Sequence, residues 1–120
     1  MKRTTKTQRY YERLRNKIPF WLIKEFNDII IRESLKYDLP ISHIVNTSFK
    51  YKPLGNIRAN IVWELRSNFF HTDNRKGEFI KGLQEDKKWL PLSYSIIAWF
   101  FGCDHAAVLH AERRYYDNSR

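Results

Sequence analysis

The sequence predicts a small all-α domain that opens on a basic N-terminal arm and closes on two short helices around a glycine turn. Three observations predict it. Apolar residues recur every three to four positions through most segments, no stretch alternates with period two, and Pro40, Gly102 and the polar run His71 to Gly77 punctuate the apolar runs. The 120 residues fit one domain, and a composition that is 42% hydrophobic with 4 Trp, 7 Tyr and 8 Phe is enough to bury a core.

Charge and composition exclude several classes. The chain carries 22 Lys and Arg against 13 Asp and Glu, a formal charge of +9. The longest strictly apolar stretch, Ile96 to Phe101, falls far short of the ~18 residues a membrane span requires, so no membrane partner is expected. The single cysteine, Cys103, leaves no disulfide framework and no multi-cysteine zinc site, and points to a reducing compartment. Gly77 and Gly82 have the spacing of a phosphate loop, but Leu83-Gln84 stand where such a loop needs Lys and Ser or Thr. No ATP chemistry is expected.

Residues 1–18 form the basic arm. Lys2, Arg3, Lys6, Arg9, Arg13, Arg15 and Lys17 stand there against Glu12 alone, so most of the net charge is concentrated in one place. Without an apolar core region it is no secretory signal, and Glu12 with the paired Tyr10-Tyr11 argues against a transit peptide. A polyanion partner is expected, held through counterion release; a solvated start that serves solubility is the plainer alternative.

Pro19 followed by Leu22, Ile23, Phe26, Ile29, Ile30 and Tyr37 predicts a helix over about 19–37, with Lys24, Asp28, Arg32 and Lys36 on its polar face. Pro40 breaks it, and Ile41 to Val45 fits a short second helix. Phe49 to Asn56 reads as a basic loop, because Pro53 and Gly55 interrupt it and Lys50 and Lys52 flank Tyr51. Ile57, Ile61, Leu65 and Phe69 predict a third helix ending near Phe70. Phe79, Ile80 and Leu83 suggest a further helix over Glu78 to Asp86. Ser93 then caps a short helix through Ile96, Ile97, Phe100 and Phe101 that stops at Gly102, and Asp104 caps the last one, to about Asp117. Val108, Leu109, Ala111, Tyr115 and Tyr116 form the apolar arc of that helix, with Ala106, Ala107, His110, Arg113 and Arg114 opposite.

Two short helices joined by a three-residue turn with glycine meet the requirements of a helix-turn-helix. Small residues at the start of the second helix let its backbone approach a DNA groove. There Asp104 can accept from a cytosine amine, His105 can donate to a base acceptor, and Ala106 or Ala107 can touch a thymine methyl.

Phe101-Gly102-Cys103-Asp104-His105-Ala106-Ala107-Val108-Leu109-His110-Ala111, followed by Arg113-Arg114, resembles the signature that closes the bacterial replication initiator DnaA, Gly-Arg-Asp-His-Thr-Thr-Val-Leu-His-Ala. The order of elements upstream is similar to that of the DnaA DNA-binding domain, domain IV, over roughly residues 20–120. The resemblance implies a domain at 19–120 that binds double-stranded DNA at DnaA-box-like sites, with residues 71–92 as an inserted element. It implies that Asp104 and His105 read bases in the major groove, that Ala106 touches a thymine methyl or backbone, and that His110 and Arg114 sit near phosphates. Lys50, Lys52 and Arg58 would face the adjacent minor groove, and Arg113 completes the basic pair. Ser93 and Tyr94, where the family usually has Leu-Pro, open the first helix of the motif and belong to the same DNA-binding set. Cys103 replaces a phosphate-anchoring arginine and both threonines are alanines, which implies a changed target sequence. The ATPase module that precedes this domain in DnaA is not among the 120 residues, so a free-standing relative is expected, acting in replication or transcription control. Its location would be the cytoplasm with the nucleoid, or the host cytoplasm for a phage-borne gene.

Plainer roles fit the remaining residues. His105 and His110 do not share a helical face with Cys103 and Asp104, so no metal is expected; no cofactor is expected either. Cys103 lacks the partners of a nucleophile and reads as a half-buried turn residue. Tyr10 and Tyr11 read as packing or stacking groups, and Trp63, Trp89 and Trp99 as core or insert packing. Glu112 interrupts the apolar arc and has no account in the sequence beyond a Lys or Arg partner. The expected protein is not an enzyme. The competing function is a helical protein-protein interaction module or inhibitor that keeps the fold without specific DNA binding; its protein partner is not named by any residue.

Overall fold

The computed structural model describes residues 6–46, 52–72, 77–82 and 86–118. In chain order the elements are α1 (Lys6–Lys17), α2 (Phe20–Tyr37), α3 (Ile41–Val45), α4 (Lys52–Asn68), β1 (Phe69–His71), β2 (Phe79–Lys81), β3 (Leu90–Pro91), α5 (Tyr94–Phe101) and α6 (His105–Asn118). The fold is mainly helical with a small sheet.

Helix α2 starts where Pro19 is extended and its carbonyl accepts from the Leu22 and Ile23 amides at 3.1 and 3.3 Å. It stops at Asp38, whose φ of 53° is left-handed, a conformation in which a short polar side chain costs less than a branched one. Leu22, Phe26, Ile29 and Ile30 face inward, joined by the buried carboxylate of Glu33. Arg32 makes that burial tolerable: its Nη2 donates to Glu33 Oε1 at 2.9 Å and its guanidinium also clamps Glu64 of α4. The hydrogen bonds to Glu64 and then Glu33 hold the Arg32 guanidinium charged well beyond its ordinary range. Ile44, Leu54, Ile57, Ile61, Val62, Leu65, Phe69, Leu92, Ile97 and Val108 pack into the same core.

Three expectations are corrected. The fold is not all-α: β1 pairs antiparallel with β2 (Phe69↔Lys81, Phe70↔Ile80, His71↔Phe79) and with β3 (Phe70↔Pro91, His71↔Leu90), in the order β2-β1-β3. Strands of two or three residues are too short to display an alternating pattern, and helical spacing over so few positions is coincidence. Pro91, which has no amide hydrogen, sits on an edge strand, where none is needed. The helix expected over Glu78 to Asp86 is therefore strand β2 followed by Gly82 and, after residues outside the described set, the turn at Asp86 to Lys88. Finally, the loop expected through Asn56 is helical from Lys52 onward. Pro53 lies in the first turn of α4, where its missing amide hydrogen costs nothing, and the tertiary packing of Leu54 and Ile57 outweighs the weak propensity of Gly55. Residues 47–51, including Lys50, lie outside the described residues.

The basic arm is helical over its described part. Helix α1 lies against α5, and a groove lined by Glu12, Arg15, Ile18, Phe20, Ile23 and Trp99 runs along the contact. Arg9, Arg13, Arg15 and Lys17 are exposed.

Candidate nucleic-acid interface

The last two helices are built by two local caps and one glycine. The Ser93 hydroxyl accepts from the Ile96 amide at 3.3 Å and starts α5. Gly102, at φ 64°, ends it in the left-handed region, where the absence of a Cβ removes the steric cost, and the Cys103 amide returns to the Ala98 carbonyl at 3.0 Å. Asp104 then accepts from the Ala107 amide at 3.0 Å and starts α6. Ile97, Ala98, Phe101 and Val108 are buried and fix the two helices to each other and to α4.

This arrangement divides the expected site residues into two groups. Asp104, His105, Ala106, His110, Arg113 and Arg114 are exposed. At 100° per residue Ala106, His110 and Arg113 share the outer face of α6, with His105 and Arg114 on its flanks. Ala107 differs from the expected arc: it is half-buried and lines a crevice with Arg58, Val62, Phe101, Cys103, Val108 and Ala111.

The other group is held within the fold. Arg58 Nε donates to the Ile44 carbonyl at 2.8 Å, and its Nη2 donates to the carbonyls of His43 and Asn46 at 2.7 Å each. Its guanidinium thus caps the C-terminal end of α3. The Ser93 hydroxyl is the α5 cap, and the Tyr94 hydroxyl donates to Glu112 Oε1 at 2.6 Å. Lys52 opens α4; its side chain lies outside the described residues.

Glu112 has a basic partner in Arg66. Arg66 Nε meets Glu112 Oε2 at 2.5 Å, Arg66 Nη1 donates to the Leu92 carbonyl at 2.7 Å, and the guanidinium lies 4.1 Å from the Tyr94 ring centroid. One arginine therefore ties α4, α5, α6 and the chain leaving β3. The hydrogen bond to Glu112, with burial second, pushes the Tyr94 hydroxyl above its usual range. Burial, helped by the Asp104 carboxylate, raises the Cys103 thiol, which favours the protonated form.

Sequence reasoning missed the support of Arg114. Arg114 Nε donates to Asn56 Oδ1 at 3.1 Å, and Asn118 Nδ2 donates to the same oxygen at 3.0 Å. The guanidinium lies so close to α4 that a Cβ on Gly55 would come within 2.5 Å of its Nη1. Gly55 and Asn56 have the sequence character of a loop, so nothing in the pattern marks them.

Trp63 stacks on Tyr115 at 4.9 Å and remains 38% exposed, a rim position rather than a core one. Among the described residues no three His, Cys, Asp or Glu gather as metal ligands, and no helix is long and apolar enough to cross a membrane. No family model matches the chain, and no curated protein or solved structure matches it.

Proposed function

We propose that the chain is a sequence-preferring double-stranded DNA-binding protein of the DnaA C-terminal-domain type, in which α5, its turn and α6 act as a helix-turn-helix and the start of α6 enters the major groove. The observation that carries the reading is the exposed outer face of α6: Asp104, His105 and Ala106 at its start and His110 and Arg113 further along, on a chain of net charge +9. Base contacts by Asp104 and His105 specify, and the cations of α1 with Arg113 and Arg114 position the duplex by phosphate contact. The role is control of replication or transcription at the nucleoid, without a catalytic step or cofactor.

Selection of bound duplexes from a random pool tests this, followed by competition with DnaA-box DNA. On the selected site His105→Ala loses discrimination worth ~1–3 kcal/mol at its base pair while keeping affinity for scrambled duplex. Arg114→Ala weakens both duplexes alike. A wild-type protein without any preference would sink the reading.

One observation favours the interaction-module alternative. Arg58, Ser93 and Tyr94 bond within the fold, as do Asp104 at the cap of α6 and Arg114 on Asn56, so five of the residues expected at DNA have structural work there. That alternative predicts salt-insensitive behaviour toward duplex DNA and no selected site.

A further inference from the structure

We infer that the outer face of α2 is a self-association surface, on which a second copy of this chain packs its own α2 antiparallel. The face exposes three large apolar side chains: Phe20 is 81% exposed, Ile31 45% and Leu35 79%. With Lys24 and Asn27, which are also exposed, they fall at steps of four, three, four and four residues, one continuous stripe on the side of α2 opposite Leu22, Phe26, Ile29, Ile30 and Glu33. These apolar side chains lie on a helix that already buries its other face, and a partner helix would cover them.

The stripe is complementary to itself in one orientation. About a two-fold axis between Asn27 and Asp28, an antiparallel neighbour sets Phe20 against Leu35 of the second copy, and Leu35 against its Phe20. Lys24 falls beside Ile31 of the second copy, which the lysine stem covers while its ammonium reaches toward Asp28 of that copy. A parallel neighbour instead sets Lys24 on Lys24 and Asp28 on Asp28, like charges directly opposed. Of the other charges of α2, Arg32 pairs with Glu33 and Glu64, Glu25 pairs with Lys81, and Lys36 lies over the Tyr37 ring, away from the stripe. Lys24 and Asp28 form no ion pair among the described residues, which leaves one cation and one anion beside the stripe for a partner carrying the same two. A contact of this kind is isologous and closes at two copies. At 1.5 Å per residue the helix is about 27 Å long, so the interface is narrow and the dimer exchanges rather than being permanent.

Sedimentation of the full chain without DNA, from about 1 to 500 µM, tests the pairing in the range where a micromolar dimer dissociates. A reversible monomer-dimer equilibrium is expected. Leu35→Lys removes it, Lys24→Asp and Asp28→Lys each weaken it at least about tenfold, and the double swap restores it; circular dichroism checks that each variant stays folded. Orientation is read by oxidation in a Cys103→Ser background. Asn27→Cys, next to the axis, crosslinks to itself, whereas Phe20→Cys crosslinks only when mixed with Leu35→Cys. A chain that stays monomeric over the whole range, a dimer indifferent to Leu35→Lys, or Phe20→Cys crosslinking to itself as readily as Asn27→Cys overturns the proposal.

Discussion

Arg114 has a flexible side chain, yet it is held in one place by a carboxamide and a missing methyl. Asn56 accepts from its Nε, and Gly55 leaves the room its guanidinium occupies. Gly55→Ala separates positioning from folding. Alanine favours a helix interior over glycine by about 1 kcal/mol, so thermal stability is expected to hold or rise. The added Cβ meanwhile displaces Arg114, and affinity for specific and random duplex falls together in a titration by fluorescence anisotropy. Glu112→Ala leaves Nε of the half-buried Arg66 and the Tyr94 hydroxyl without their acceptor and costs about 2 kcal/mol by urea unfolding, less than for a fully buried pair because both ends touch solvent. Tyr94 also sets a pH dependence. Its folded-state pKa lies above the unfolded one, so its contribution is complete below about pH 10 and is lost as pH rises through the folded value. Tyr94→Phe is expected to flatten that alkaline decline in melting curves.

Among the elements, α3 depends most on a neighbour. Five residues are too few to hold a helix by themselves, and its last carbonyls are satisfied by Arg58 of α4. Arg58→Ala is expected to cost about 1–3 kcal/mol in chemical unfolding, as charge-assisted hydrogen bonds do. Affinity for duplex DNA is expected to change far less, since the guanidinium faces carbonyls. The dependence explains why this part of the site is not legible from sequence. An arginine after a basic run reads as a minor-groove contact, and nothing local reveals that it also donates to helix carbonyls some fourteen residues upstream. The last two helices are legible because their signals are local: Ser93, Gly102 and Asp104 each act within three or four residues, and all three make the caps expected of them. The short α3 and the long α2 are legible for the same reason, through Pro19 and Pro40. The sheet is not, because its strands are defined by partners ten and twenty residues away rather than by their own pattern. Glu112 lies between these cases: its position on an apolar arc announces a cation, but only the fold names Arg66.

For the whole molecule, the position of α1 decides how its charge acts. A helix lying against α5 presents Arg9, Arg13, Arg15 and Lys17 as a fixed array rather than a cloud. Replacing Arg9, Arg13 and Lys17 by glutamine spares Arg15, which borders the groove at α5, and is expected to weaken binding to all duplexes alike. The slope of log affinity against log salt should flatten by roughly 0.9 for each phosphate that α1 no longer neutralises. An unchanged slope in a salt titration would show that α1 takes no part. The docking of α1 on α5 also has a consequence for the nascent chain. Helix α1 is translated well before α5, so at ~5–20 residues per second several seconds separate the two. Through that interval Trp99 does not yet exist, the groove beside Ile18 has only one wall, and the most cationic segment of the protein emerges from the ribosome before the surface that will seat it.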